Sequence, residues 1–334
     1  MPITARRVHL AQRPVGMTDA STWSIRETEL NDPSDGEVLV KVSHLSLDPA
    51  MRGWLDDVKS YIPPVAIDEV MRAGGVGTVI ESHHREFAVG DTVTGGFGVA
   101  DHVVVRGKHL TAVNLDVAPA ATWLGALGMP GMTAWFGLFD VAKAQPGDTV
   151  LVSGAAGAVG SVVGQLAKAH GCRVIGIAGG PEKCAWLTDE LGFDAAIDYK
   201  QGPVHRSLRE HAPDGIDVYF DNVGGDMLDS ALRSLRLGGR IAICGAISAY
   251  NATEPVPGPA HYLSLLVNRA SMAGFIVFDY EDRYPEAVAG ISSKILDGSL
   301  VAREQVVDGN VDDFPETLLM LFSGANTGKL VLKL

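Results

Sequence analysis

The stretch from Val150 to Gly171 reads VLVSGAAGAVGSVVGQLAKAHG. An apolar run enters a cluster of small residues, Gly154-Ala155-Ala156-Gly157-Ala158-Val159-Gly160. A helical pattern leaves it and closes on Gly171. This order lets a backbone approach a pyrophosphate closely, with the free N–H groups and partial positive charge of a helix N-terminus turned toward the anion. Set on G-x-G-x-x-G, the frame is Ala155, Gly157, Gly160, so Ala stands where the first glycine is expected. The competing reading is a small-residue turn that only lets a helix pack on a sheet. The ordered succession of strand, turn, helix and second strand favours a dinucleotide.

The second strand identifies the dinucleotide. A site for an unphosphorylated adenosine ribose wants Asp or Glu at its tip, ~20 residues on, to bind the ribose diol. Here CRVIGIA runs into Gly179-Gly180-Pro181, and Glu182 already lies inside the next helix. Lys183, one turn into that helix, is placed to pair with a 2′-phosphate; the alternative is an ordinary solvated lysine. The missing acid and the lysine together predict NADPH.

These motifs need a scaffold. From Thr149 onward, apolar runs of four to six residues alternate with helical patterns: TVLVSGA, CRVIGIAG, DAAIDY, IDVYFDNVG and GGRIAICGAI are the strands. Such runs flanked by helices predict a parallel sheet buried on both faces, doubly wound over 148 to about 277. The first third is different: GEVLVKVSHLSL, GVGTVIES, DTVTGGF and ADHVVVRG are short β-branched runs bounded by turn residues, as in a compact β-barrel. Between them, ATWLGALGMPGMTAWFGLFDVAKA has helical spacing that Pro and Gly break at 129–131. After Tyr280 come a helix, YPEAVAGISSKILDGSL, and two strands, REQVVDGN and GKLVLKL, around the short helix DFPETLLMLFSG; these strands are expected to complete the first domain. The expected organisation is α/β, with a β-rich domain over 1–122 and 303–334 and a dinucleotide domain over 123–302. At 334 residues, two cores are the natural expectation.

The formal charge of −13, with no run of Lys or Arg, argues against nucleic acid and anionic membrane as partners. No apolar stretch reaches the ~18 residues of a membrane span, and the N-terminus lacks a signal-peptide core, so a soluble cytoplasmic protein is expected. The three cysteines, Cys172, Cys184 and Cys244, form no C-x-x-C pair and all fall in the dinucleotide domain. The β-rich domain has His44, His83, His84, His102 and His109 but no cysteine. A catalytic zinc needs three protein ligands and an open position, so no metal is expected. Without a metal to polarise a carbonyl, conjugate hydride addition is the natural chemistry.

Several segments in order carry a family resemblance: 45–52 (LSLDPAMR), 60–64 (SYIPP), 131–138 (GMTAWFGL), 153–161 (SGAAGAVGS), 221–225 (DNVGG), 244–251 (CGAISAYN) and 324–329 (GANTGK). Across nearly its whole length the chain resembles the zinc-independent medium-chain dehydrogenase/reductases, in the branch of prostaglandin/leukotriene reductases, plant alkenal double-bond reductases and curcumin reductase-like enzymes. The resemblance implies a GroES-like β-rich domain beside a Rossmann domain, and a homodimer, its dinucleotide-domain sheets joined edge to edge. It implies NADPH-dependent reduction of the C=C bond of α,β-unsaturated ketones or aldehydes, in a cleft between the domains. Gly157, Ala158, Val159 and Gly160 would hold the pyrophosphate, and Lys183 and Tyr199 the 2′-phosphate. Asn222 would bind near the ribose. Cys244, Gly245, Ala246, Ile247, Ser248 and Tyr250, with Phe275, Ile276 and Val277, would line the nicotinamide, and Asn326 would reach the cofactor from the C-terminal segment. Tyr250 would face the substrate oxygen and hydrogen-bond it as enolate charge develops; the alternatives are that it only packs on the cofactor, or that a ribose hydroxyl supplies the proton. Ala50 stands where the family commonly has Tyr, which would widen the substrate pocket. Tyr61 is either an aromatic wall of that pocket or a loop-packing residue. Two rival functions stay open at this point: an NADPH-dependent quinone reductase, and an NADPH-binding redox sensor or structural protein without turnover.

Overall fold

The computed structural model describes residues 3–334. Two compact units result: one runs to Leu124 and resumes over Glu304–Leu334, the other is Gly125–Arg303.

In the first unit, β1 (Thr4–Leu10) and β2 (Trp23–Glu29) pair antiparallel. The strands β3 (Glu37–Ser46), β4 (Gly74–Ser82), β5 (Thr92–Gly96), β6 (His102–Arg106) and β7 (Thr111–Ala112) follow, and the one-turn helix α1 (Ala50–Gly53) comes shortly after β3. Register shifts between β3 and β4, at Leu39/Val40 and Val42/His44, bend the pair as bulges do. The sequence had not revealed β1 and β2. Arg6 and Arg7 interrupt the apolar signal of β1, and only in the fold is Arg6 answered, by Asp312 at 2.6 Å.

The second unit holds β8 (Thr149–Val152), β9 (Arg173–Ala178), β10 (Ala195–Asp198), β11 (Ile216–Asp221), β12 (Leu235–Ile243) and β13 (Ser271–Gly274), in the spatial order β10-β9-β8-β11-β12-β13. Every pairing is parallel. Its helices are α2 (Met129–Phe136), α3 (Ala158–Ala169), α4 (Pro181–Ala185), α5 (Val204–His211), α6 (Gly225–Leu232), α7 (Leu263–Val267) and α8 (Tyr284–Leu296). This is the doubly wound Rossmann order, which reverses direction between β8 and β11. All four residues of β8 are buried, as a central strand covered on both faces requires. Where the sequence reading put a break, α2 begins: Pro130 sits in its first turn, where a missing N–H costs nothing.

The chain then returns to the first unit with β14 (Glu304–Asp308), α9 (Phe314–Ser323) and β15 (Lys329–Lys333). β15 pairs antiparallel with β3, placing Val331 opposite Ser46. Phe314 and Leu318 of α9 and Leu330 and Leu332 of β15 pack into one core with Val38, Val40 and Val42 of β3. Each such buried side chain contributes about 1.5–3 kcal/mol.

Candidate functional site

Ligands of doubly wound sheets bind outside the carboxyl ends of the strands, where the order reverses. Here that point lies between the ends of β8 and β11. The turn after β8 has its left-handed residue at Gly154, with φ +57°. Ala155 therefore needs no glycine conformation. Its buried side chain instead lies near Gly176 of β9, where an added Cβ would meet the Ala155 Cβ at 3.0 Å. The departure at Ala155 is thus absorbed one residue earlier. Gly157 precedes α3 in extended conformation, and its N–H donates to Gly154 O at 2.9 Å. At Gly160 a Cβ would lie 2.4 Å from Gly154 O and 2.8 Å from Ala155 Cα. Only glycine lets the helix start this close to the turn.

Across the switch point, Asp221 ends β11 and is 1% exposed. Its Oδ1 accepts from Ser153 Oγ (3.0 Å), Tyr219 OH (2.8 Å), Val223 N (3.0 Å) and Gly224 N (2.9 Å). Its backbone carbonyl accepts from the amides of Cys244 (2.8 Å) and Gly245 (3.1 Å). Asn222 donates from Nδ2 to Ser153 O (2.7 Å) and from its amide to Ser153 Oγ (2.9 Å). One residue therefore ties together the turn after β8, the turn after β11 and the loop after β12. Burial and the Asp221 charge push the Tyr219 phenol well above its usual range. The same two causes push the Cys244 thiol up to about 12. Asp221 was not singled out from the sequence. The available signal was an acid ending an apolar strand, which burial obliges to find partners.

The 244–250 loop folds back on this node. Ile247 N donates to Asn222 O at 3.3 Å, and Ser248 Oγ to Val223 O at 2.6 Å. The Tyr250 hydroxyl accepts from Ala246 N at 3.3 Å, and an added Cβ at Gly245 would meet that hydroxyl at 2.9 Å. Asn222 and the Cys244–Tyr250 loop are therefore neighbours. Phe275 follows β13, and its ring packs edge to face on Phe220. Ile276 O accepts from Asp279 N, and Val277 is buried.

At the tip of β9, an added Cβ at Gly179 would meet Tyr199 OH at 2.9 Å and Lys200 Cε at 3.0 Å. Asp198 Oδ1 accepts from Gly180 N (2.9 Å) and Lys200 N (3.0 Å). Burial, and next the charge of Lys200, pull the Lys183 ammonium below its ordinary value. Lys183, Tyr199 and Lys200 thus share one corner, and the sequence reading had missed Lys200.

Three candidate residues lie in the first unit. Ala50 opens α1, Tyr61 accepts from Trp54 Nε1 at 2.8 Å, and Asn326 donates to Gly328 O at 3.2 Å. Asp48, two residues before Ala50, pairs with Lys329, three residues after Asn326, at 2.7 Å.

The donor set does not fit a zinc centre. Among the described residues no group of three or more His, Cys, Asp or Glu could hold a metal ion. The cradle at Gly154–Gly160 and the cationic corner at Gly179 do fit a phosphorylated dinucleotide.

Comparison with known proteins agrees with this geometry. Residues 6–113 match a family described as N-terminal domain of oxidoreductase, and residues 158–293 one described as zinc-binding dehydrogenase. The NADPH-dependent curcumin reductase of Escherichia coli (strain K12) is 40% identical, over 98% of this chain and 96% of its own. The NADP(+)-dependent 2-alkenal reductase of Nicotiana tabacum is 41% identical, over 99% of this chain and 97% of its own. The crystal structure of CurA from Vibrio vulnificus in complex with NADPH superposes with a TM-score of 0.93 at 42% identity, covering 98% of both chains.

Proposed function

Since this chain belongs to the zinc-independent medium-chain dehydrogenase/reductases, in the branch of curcumin, prostaglandin and 2-alkenal reductases, we propose that it reduces the C=C bond of α,β-unsaturated ketones or aldehydes with NADPH. The observation that carries this reading is the switch-point cradle joined to a β9 end that carries no acid of its own and gathers Lys183 and Lys200, while the nearby Asp198 carboxylate is occupied by the Gly180 and Lys200 amides. That corner suits a 2′-phosphate better than a bare ribose diol.

NADPH, when bound, supplies the hydride that the substrate takes at its β-carbon. The chain's residues orient the two partners and handle charge and protons. Backbone amides from Gly157 to Gly160 hold the pyrophosphate at the start of α3. Lys183 and Tyr199 take the 2′-phosphate, and Asn222, already anchored to Ser153, meets the ribose. The Cys244–Tyr250 loop and Phe275–Val277 border the nicotinamide. The Tyr250 hydroxyl accepts from the Ala246 amide, which strengthens it as a donor toward the substrate oxygen as negative charge develops there. Ala50 and Tyr61 border the substrate, and the small Ala50 leaves room for a bulky group.

We assign a homodimer. Every residue of β13, Met272 included, is exposed at the edge of the second unit's sheet, and Leu263, Leu266 and Val267 of α7 are exposed. An open edge flanked by apolar side chains is a template for pairing. No helix among the described residues is long and apolar enough to cross a membrane, and we place the enzyme in the cytoplasm.

The deciding experiment mixes purified protein with NADPH and a panel of enones, enals and quinones, follows NADPH absorbance and identifies products by mass. The expected product is the saturated ketone or aldehyde. An allylic alcohol, turnover confined to quinones, or NADPH binding without turnover on any of them would refute the proposal.

A further inference from the structure

Successive side chains of a strand point to opposite faces, so Tyr199 and Lys200, adjacent in sequence, would not ordinarily meet the same atom. Here they do. The chain leaves β10 at Asp198 and turns, with Gln201 N donating to Asp198 O and Lys200 N to Asp198 Oδ1, both at 3.0 Å. The turn brings both the Tyr199 hydroxyl and the Lys200 stem onto Gly179, 2.9 and 3.0 Å from where a side chain would begin. The same carboxylate oxygen accepts from Gly180 N at 2.9 Å, so one acid pins both the end of β9 and the end of β10. Lys183 approaches from α4, close enough for the Lys200 charge to lower its proton affinity. Asp198, whose carboxylate accepts from the Gly180 and Lys200 amides, offsets part of this positive charge, and a dianion reaching both ammonium groups would be favoured by their charge.

We propose that Lys200 is a specificity-determining residue for the cofactor, forming with Lys183 and Tyr199 a clamp on the adenosine 2′-phosphate. This rests on the NADPH reading above and adds a residue to it. A guanidinium or ammonium on a phosphate forms a charge-assisted contact absent from NADH, so Lys200 acts on the choice between the two dinucleotides rather than on hydride transfer.

The test is binding calorimetry without substrate, using NADPH, NADH, 2′,5′-ADP and 5′-AMP as probes on the wild type, Lys200→Gln, Lys200→Arg and Lys183→Ala. Lys200→Gln is expected to weaken NADPH and 2′,5′-ADP by about tenfold, the scale of one charge-assisted contact. NADH and 5′-AMP should bind as before, and Lys200→Arg should restore most of the loss. The side chain is exposed, so the variant is expected to fold. Unchanged NADPH affinity in Lys200→Gln, or equal weakening of NADH, would overturn the role of Lys200 while a wild-type preference for NADPH keeps the cofactor reading intact. A wild type that binds NADPH and NADH alike would overturn both.

Discussion

The Lys329 ammonium donates to the Asp48 carboxylate at 2.7 Å and to Leu47 O at 2.6 Å, with both charged side chains buried in the first unit. Ser46 Oγ donates to the other carboxylate oxygen at 2.5 Å. Burial pulls the lysine's proton affinity down and the Asp48 charge opposes it. The pair joins the segment carrying Ala50 to the strand that follows Asn326. Removing one partner strands the other charge in the core. Lys329→Met should therefore cost about 3–5 kcal/mol in urea unfolding, and adding Asp48→Asn should recover part of it. A single variant as stable as wild type would show that the pair contributes nothing.

Gly160 and Gly147 separate crowding from backbone strain. A Cβ at Gly160 meets backbone that cannot move aside, whereas one at Gly147 meets nothing but must adopt φ +91°. Gly160→Ala should weaken NADPH about a hundredfold and cost ~1–3 kcal/mol of stability. Gly147→Ala should cost ~1–2 kcal/mol of stability and leave NADPH affinity alone. Thermal melts with and without NADPH read both, and equal behaviour of the two variants would contradict the cradle.

Asp221 serves four donors through one oxygen. Asp221→Ala leaves two hydroxyls and two amides without that acceptor, and a loss of about 3 kcal/mol or more is expected. Asp221→Asn keeps an acceptor and should retain the fold while weakening NADPH. If the Ala variant bound NADPH like wild type, Asp221 would not organise the site.

Tyr250→Phe removes a hydroxyl that accepts from Ala246 N and that we propose donates to the substrate oxygen. Turnover on an enone should fall by about a hundredfold, with NADPH affinity nearly intact. Steady-state kinetics beside a binding titration tests this, and unchanged turnover would leave the proton to a cofactor hydroxyl.

Two thiols set an alkaline limit. Burial pushes Cys172 up to about 11, and burial with the Asp221 charge pushes Cys244 up to about 12, from an ordinary value of 9.0. Above pH 9 the unfolded chain loses these protons while the folded chain keeps them. The stability they contribute is present in full below pH 9 and lost as pH rises toward 11 and 12. Urea midpoints should fall across that window, less steeply in Cys172→Ala and Cys244→Ala. A midpoint slope the same in these variants as in wild type would dissociate the loss from the thiols.

The glycine-rich turn between β8 and α3 was legible in the sequence because it is local: an apolar run, small residues and a helix in unbroken order need no distant partner to be recognised. The missing acid at Gly179-Gly180-Pro181 was legible for the same reason, as was a buried parallel sheet from runs such as TVLV and IDVYF. The convergence on Asp221 was not. Ser153 lies 68 residues before Asp221, and they meet only because the fold places β11 beside β8 rather than beside β10. Strand order is a property of packing, and a spacing in the chain does not reveal it. The pair Asp48–Lys329 spans 281 residues and depends on β15 returning to β3. Lys200 reaches Gly179 through a turn that defeats strand alternation. β1 escaped notice because Arg6 and Arg7 mask its apolar face until Asp312, from the far end of the chain, supplies the partner. What the chain chemistry is for was written locally; how firmly the groups are held was decided by contacts between residues far apart in sequence.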